Sequence, residues 1–158
     1  MNTFPDFPTE SMGGCESFLF TPKNYVNKIP KAANYVISSA IEMLPGYSLL
    51  GGIALRDTLQ FKETEESTES GSKYKTQITG MVPKLTPEYL ALFEEMKQYR
   101  HIVIISDNNQ NKMICGKMRA GMKFTYSSDS SKSPSGVSGY QFSFDLEYTL
   151  PSSFYTAL

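Results

Sequence analysis

The sequence predicts a mainly β (α+β) fold: an antiparallel β-sandwich or barrel with one packed α-helix and long hairpin loops. Three patterns indicate this class. Residues 140–148 alternate between apolar and polar side chains, as a strand with one buried face does. Residues 102–106 form an apolar, β-branched run typical of a strand buried on both faces. Two polar stretches, 63–72 and 127–139, separate strand candidates as hairpin tips do.

The composition is that of one globular domain. The chain has 158 residues with 40% apolar and 20% charged side chains. This length and apolar content are sufficient for a hydrophobic core. We expect a flexible N-terminal arm over residues 1–16 and a single β-rich domain over 17–158, because the first stretch has little periodicity. It also lacks the basic and apolar regions of a secretory signal. The net charge of −1 predicts no strong attraction for nucleic acid.

The N-terminal third contains one strand and one ambiguous segment. Residues 17–21 are a short strand candidate that stops at Pro22. Apolar residues in 31–44 recur at helical spacing and Pro45-Gly46 follows them, so we expect a helix there. The β-branched pair Val36-Ile37 leaves an irregular strand as the alternative.

A hairpin follows between residues 53 and 82. Two extended patterns, ending near residue 62 and resuming at 74, are separated by the run 63–72, which has no apolar residue. We expect that run to be a long polar tip that stands in solvent until something binds it.

The helix over about 86–99 has the strongest signals of any single element. Thr86 is a favourable N-cap and Pro87 suits the first helical position. Leu85 and Leu90 are placed to form a hydrophobic staple across the cap. The apolar stripe expected to face the sheet consists of Leu90, Phe93 and Met96.

The last strand separates two chemically different faces. The apolar face consists of Tyr140, Phe142, Phe144, Leu146 and Tyr148. The polar face consists of Gln141, Ser143, Asp145 and Glu147. Residues 151–155 then form a short tail, in which we expect Phe154 and Tyr155 to be exposed.

Residues suited to catalysis or metal binding are few and scattered. A nucleophile pair would need His101 with Cys15 or Cys115, but neither cysteine has a protease-like flanking sequence. One histidine and two distant cysteines lack zinc-ligand spacing, and the acidic run 63–69 does not match a calcium loop. We therefore expect no enzyme activity, no cofactor and no metal. Reduced thiols are favoured over a disulfide, since the chain has no secretory signal.

Three stretches of the sequence, together with the order of elements, carry a resemblance to a known family. They are Gly14-Cys15, Ile102–Ser106 followed by Asp107-Asn108-Asn109, and Gly139-Tyr140-Gln141-Phe142-Ser143-Phe144 before Glu147-Tyr148 and Pro151. The sequence in this way resembles the phage tail-tube fold and is similar to small prophage tail proteins of the Bacteroidota. The similarity covers about residues 50–155 and rests on pattern rather than on a diagnostic motif.

The resemblance implies a virion structural protein that forms stacked, hexameric rings around a channel for DNA passage. Its partners would be copies of itself and other tail or connector proteins, with DNA only as passing cargo and no membrane. It would be located in the virion tail after assembly in the host bacterial cytoplasm. Loop length and polarity suggest as inter-subunit contacts Glu63, Glu65, Glu66, Glu69, Lys73, Ser130, Lys132, Phe154 and Tyr155. The lumen face would be Gln141, Ser143, Asp145 and Glu147, whose carboxylates would repel DNA phosphates.

Two other functions remain open at this point. A tail terminator or head–tail connector ring could share the same fold. A small-molecule-binding β-barrel is suggested by the aromatic face at Tyr140, Phe142 and Phe144, and such a protein should be monomeric with an apolar cavity.

Overall fold

The mainly β class is confirmed. A computed structural model describes residues 11–158, in which strands make up 49% and one helix is present. The helix α1 spans Pro87–Met96. The strands are β1 (Cys15–Pro22), β2 (Val26–Lys28), β3 (Val36–Ile37), β4 (Glu42–Met43), β5 (Leu50–Gly51), β6 (Gln60–Thr68), β7 (Gly71–Pro83), β8 (Arg100–Asp107), β9 (Lys112–Cys115), β10 (Met122–Asp129), β11 (Gly139–Tyr148) and β12 (Ser153–Tyr155).

One large mixed sheet holds ten of these strands. Its order is β3-β12-β9-β8-β10-β11-β7-β6, with β1 paired to β8 and β5 paired to β1. The β12–β3 pair is parallel and the other pairs are antiparallel. The packing is consistent with a β-sandwich, and no closed barrel forms over residues 11–158. The separate β2–β4 pair is a small second sheet.

Strand β8 lies between two hydrophobic clusters. Val103 and Ile105 point into an aromatic cluster, while Ile102 and Ile104 point into an aliphatic one. All four are at most 1% exposed, which confirms the prediction of a strand buried on both faces. The aromatic cluster includes Phe18, Phe20, Phe93, Phe124, Phe142 and Phe144. The aliphatic cluster includes Val26, Ile37, Ile41, Ile114 and Tyr155.

The predicted helix begins where expected and ends earlier. The Thr86 hydroxyl accepts the Tyr89 N–H at 3.3 Å, so it caps α1, and the helix ends at Met96 rather than near residue 99. Phe93 and Met96 are buried, as predicted. Leu90 is 44% exposed, so its placement in the buried stripe was wrong. Tyr89, one turn before Phe93, packs against the core instead.

The helix expected over 31–44 is wrong, and the irregular-strand alternative is closer. Asn34 and Tyr35 adopt positive φ angles of 48° and 63°, a left-handed conformation that interrupts a right-handed helix. Val36–Ile37 then forms β3 beside β12, and Glu42–Met43 forms β4 beside β2. The apolar spacing is satisfied by burying Ile37 and Ile41 in the aliphatic cluster.

The first polar tip is a strand rather than a long loop. Pairing between β6 and β7 continues as far as Thr68 and Gly71, which leaves only the turn Glu69-Ser70. The second polar stretch is partly extended as well, because β10 runs to Asp129 before an exposed loop over 130–138.

The two ends of the described chain are tied to the sheet. Within the predicted arm, Cys15 begins β1, and Met12 exchanges hydrogen bonds with Asn109 at 2.9 Å in both directions. The rest of the arm, residues 1–10, lies outside the described residues. At the other end, 153–155 forms β12 between β9 and β3 instead of a free tail.

Candidate assembly surfaces

Strands β6, β7, β11 and β10 present a continuous polar face. The cross-strand register places alternate residues of each strand side by side on this surface. The polar sheet face consists of Gln60, Lys62, Thr64, Glu66, Lys73, Lys75, Gln77, Thr79, Met81, Gln141, Ser143, Asp145, Glu147, Lys123, Thr125 and Ser127. All four predicted lumen-face residues belong to it.

The polar sheet face carries more lysines than carboxylates. Its charged residues are Lys62, Lys73, Lys75 and Lys123, with Glu66, Asp145 and Glu147. Lys73 pairs with Glu147, and Lys75 Nζ lies 2.9 Å from Glu66 Oε1 and 3.8 Å from Glu147 Oε1. The Lys73 hydrogen bond holds the pKa of Glu147 below its usual value. Asp145 accepts hydrogen bonds from Gln77 Nε2 at 3.0 Å and from the Ser143 hydroxyl at 2.8 Å. The sequence-based expectation of a lumen dominated by carboxylates therefore does not match this surface.

The polar sheet face ends at a strand edge. Among residues 11–158, β6 pairs with β7 on one side and with no strand on the other. The β6–β7 hairpin also extends past β11, because the last β7–β11 pair is Tyr74 with Tyr148. Exposed residues 66–72 project beyond that pair. The start of this edge is covered, because the Cys15 N–H donates to the Leu59 carbonyl at 3.2 Å just before β6. The rest of the edge is a template for another strand.

The predicted contact residues on β6 separate onto two faces. Glu66 lies on the polar sheet face. Glu63 points the opposite way, where its Oε2 accepts the Thr76 hydroxyl at 2.7 Å and the Ser152 N–H at 3.0 Å. Glu65 accepts the Ser72 hydroxyl at 2.7 Å, and Glu69 is an exposed turn residue. The contacts of Glu63 are thus within the chain, which argues against its predicted inter-subunit role.

The predicted contacts at the C-terminal end and in the second loop differ in exposure. Tyr155 is 2% exposed and its hydroxyl accepts the Ile41 N–H at 3.1 Å, so its predicted exposure was wrong. Phe154 is 44% exposed, as expected. Ser130 and Lys132 are exposed in the loop 130–138, and Lys73 is half-exposed beside Glu147.

A groove that the sequence reasoning missed lies at the end of β9. It has a volume of about 540 Å³ and is lined by apolar residues and three cations, with no acidic side chain. We call it the basic groove. Its cations are Lys31, Lys117 and Arg119, and its exposed apolar residues are Tyr35, Met118 and Leu150. Three segments distant in sequence form it, so no local pattern predicts it.

The aromatic face of β11 is filled by the protein itself. Phe142 and Phe144 pack against Phe18 with ring centroids 5.5 and 6.0 Å apart. The cavity that remains there, with Gly52 in its wall, holds about 90 Å³. Sites for drug-sized ligands usually hold about 300–1,000 Å³. A barrel-type binding site therefore gains no support from this face.

Of the residues considered for nucleophilic chemistry, Cys115 and His101 are buried and Cys15 is half-buried. Burial raises the pKa of the Cys115 thiol to about 12, and partial burial raises the pKa of Cys15. Both cysteines are free thiols, as predicted. His101 is 1% exposed and its Nε2–H donates to the Met96 carbonyl at 2.8 Å, while burial lowers its pKa.

In the described part of the chain, no three His, Cys, Asp or Glu side chains are grouped closely enough to hold a metal ion. The helix within residues 11–158 is too short and too polar to cross a membrane.

Comparison with protein-family models, curated proteins and solved structures finds no significant match.

Proposed function

We propose that the protein is a structural subunit of a phage tail, which assembles with copies of itself into stacked rings around a channel. The observation that carries this proposal is the position of the free β6 edge beside a continuous polar sheet face. A subunit with both features can join its neighbour along one surface and present a hydrated wall with the other. The resemblance of the element order to tail-tube proteins supports the same function.

Pairing through β6 would also cover the strand edge that an isolated subunit leaves exposed. Unpaired backbone N–H and C=O groups on a strand of this length favour uncontrolled pairing. In a ring, each subunit covers the edge of the next, and the contact is heterologous because two different surfaces meet. The projecting residues 66–72 are then placed to reach the ring above or below.

The ion pairs on the polar sheet face favour a channel for DNA, because they engage two of its four lysines. Free lysines would hold phosphates, and unpaired carboxylates would repel them. Here Lys73 and Lys75 are engaged by Glu147 and Glu66. Lys62 and Lys123 form no salt bridge among residues 11–158. The face therefore presents two free lysines rather than four, which limits its attraction for DNA phosphates.

Negative-stain microscopy of the purified protein, with light scattering over a concentration series, tests the proposal. We expect rings or tubes with a central hole. Tubes of regular length distinguish a tube subunit from a terminator or connector ring, which should stop at one or two layers. A monomer at every concentration, also in the presence of other tail proteins, would contradict the proposal.

A hairpin variant identifies the surface responsible. Replacing residues 67–72 by Asn-Gly joins the paired residues Glu66 and Lys73 through a two-residue turn and keeps their ion pairs with Lys75 and Glu147. The variant should fold and fail to stack. The matched control, Glu69→Asn with Ser70→Gly, changes the turn and keeps the hairpin length, so it should stack normally. Equal assembly of the two variants would exclude the projecting hairpin from the contact.

A further inference from the structure

We propose that the basic groove receives residues 1–10 of a second copy of this chain. The inference rests on the proposed function, because it names one contact by which copies would be joined. The groove is open on the described surface, and three features of the molecule favour this occupant over others: complementary charge, exposed apolar side chains, and the relative positions of the groove and of residue 11.

The groove presents an apolar floor between cations. Tyr35, Met118 and Leu150 are 63%, 39% and 58% exposed. Lys31 and Arg119 are exposed, and Lys117 Nζ donates to the Pro151 carbonyl at 3.3 Å. A surface of this composition fits an extended peptide that carries both aromatic rings and carboxylates.

Residues 1–10 have the complementary composition. They contain Phe4 and Phe7, the carboxylates of Asp6 and Glu10, and no lysine or arginine. Prolines follow both phenylalanines, and a residue before proline is biased toward extended conformations. The loss of conformational entropy on binding is smaller for such a segment than for a glycine-rich one.

The geometry favours a second copy over the chain's own segment. Met12 is bonded to Asn109, just beyond the Asp107 end of β8, whereas Gly116 in the groove lies against His101 at the other end. These ends are about 20 Å apart at the usual rise of a strand. Because β1 is antiparallel to β8, the chain runs away from its own groove as it passes from residue 15 towards residue 11. Ten extended residues span up to about 33 Å. They can enter a copy stacked on that end without changing direction, whereas entry into the chain's own groove requires the segment to turn back.

Crosslinking between two differently tagged proteins tests the contact. One carries Thr3→Cys, which keeps both phenylalanines, and the other carries Met118→Cys. Both also carry Cys15→Ser, and a short bismaleimide joins thiols that are close together. We expect a mixed dimer. Val137→Cys, at a side chain 51% exposed in the loop 130–138, is the control and should give little mixed dimer.

Two outcomes of the crosslinking would overturn the inference. One is a yield with Met118→Cys no higher than with Val137→Cys. The other is a double variant, Thr3→Cys with Met118→Cys, that crosslinks only within a single chain, because the occupant is then the chain's own segment.

Peptide binding tests the chemistry of recognition. A labelled peptide of residues 1–10 is titrated into the full chain carrying Phe4→Ser and Phe7→Ser, which weakens competition by its own segment. Reversing two exposed groove cations, Lys31→Glu with Arg119→Glu, should weaken binding by about tenfold or more. The control reversal, Lys62→Glu with Lys132→Glu, lies outside the groove and should leave the affinity unchanged. Equal affinities in both reversed variants would overturn the proposed site.

The failure of this inference can be distinguished from the failure of the ring proposal. Rings in the microscope without the mixed dimer would overturn the groove contact and leave the ring function standing. The mixed dimer and the charge-dependent binding, found in a protein that forms no rings or tubes, would support the groove contact and contradict the ring function.

Discussion

The carboxylate of Glu63 accepts the backbone N–H of Ser152 at 3.0 Å and so joins the edge strand β6 to the segment that leads into β12. The same oxygen accepts the hydroxyl of Thr76, which is 4% exposed. One side chain thus serves two donors that would otherwise be left unpaired in a largely buried position.

Glu63→Ala should lower the free energy of unfolding by about 1–3 kcal/mol, because it leaves both donors without a partner. Urea denaturation followed by circular dichroism measures the change. Glu65→Ala is the control on the same strand, since Glu65 is exposed, and it should change stability by less than about 0.5 kcal/mol. Equal losses in the two variants would show that the Ser152 contact does not contribute.

Gly52→Ala should be destabilising and Gly51→Ala should not. A Cβ added at Gly52 would lie within 3.0 Å of the Phe18 ring, which is packed in the aromatic cluster, whereas nothing lies within 4 Å of a Cβ at Gly51. Overpacking of this kind costs about 1–3 kcal/mol. Thermal unfolding of the two variants measures the difference, and equal melting temperatures would contradict the described path of the chain beside Phe18.

Folding stability should decrease as the pH falls below about 6.5, the ordinary pKa of histidine. His101 is the single histidine, and burial lowers its pKa in the folded protein. The unfolded chain therefore binds a proton first, and the stability loss continues until the pH reaches the lower folded-state pKa. The slope can approach about 1.4 kcal/mol per pH unit.

Denaturation curves between pH 7.5 and 5 check this behaviour in the native chain and in His101→Gln, which keeps a donor and does not titrate. The variant should have a flatter profile. An identical slope in both proteins would assign the pH dependence to carboxylates instead. The ring resonances of His101 in NMR spectra give its folded pKa independently.

Cys115 should resist alkylation in the native state. Its thiol is fully buried and its pKa is about 12, so almost no thiolate exists at pH 8. Iodoacetamide labelling followed by mass spectrometry should show modification of the half-buried Cys15 first. Cys115 should react only when the chain unfolds in urea. Rapid native labelling of Cys115 would indicate an activated thiol and would revive the nucleophile hypothesis.

The positions of α1, β8 and β11 could be predicted from residues that are close together in the sequence. The Thr86-Pro87 start, the β-branched run at 102–106 and the strict alternation at 140–148 each depend on neighbours in sequence. The failures have a different origin. The left-handed residues Asn34 and Tyr35 override a helical spacing that is otherwise complete.

The polar run in β6 shows a second limit of local patterns. It contains no apolar residue after Phe61, so it lacks the alternation of apolar and polar residues that indicates a strand. Cross-strand pairing with β7 makes it one, through partners such as Thr64 with Lys75. The basic groove shows a third limit, since its walls come together only when β9, β12 and β3 pair.

The pairing of β1 with β8 has a consequence for the newly synthesised chain. Residues 15–22 leave the ribosome almost eighty residues before their partner at 100–107. At synthesis rates of about 5–20 residues per second, that delay is roughly 4–16 s. During it, Phe18 and Phe20 have no strand to cover them, and neither cluster beside β8 can close. The nascent chain therefore passes through a period in which this apolar surface is exposed to aggregation.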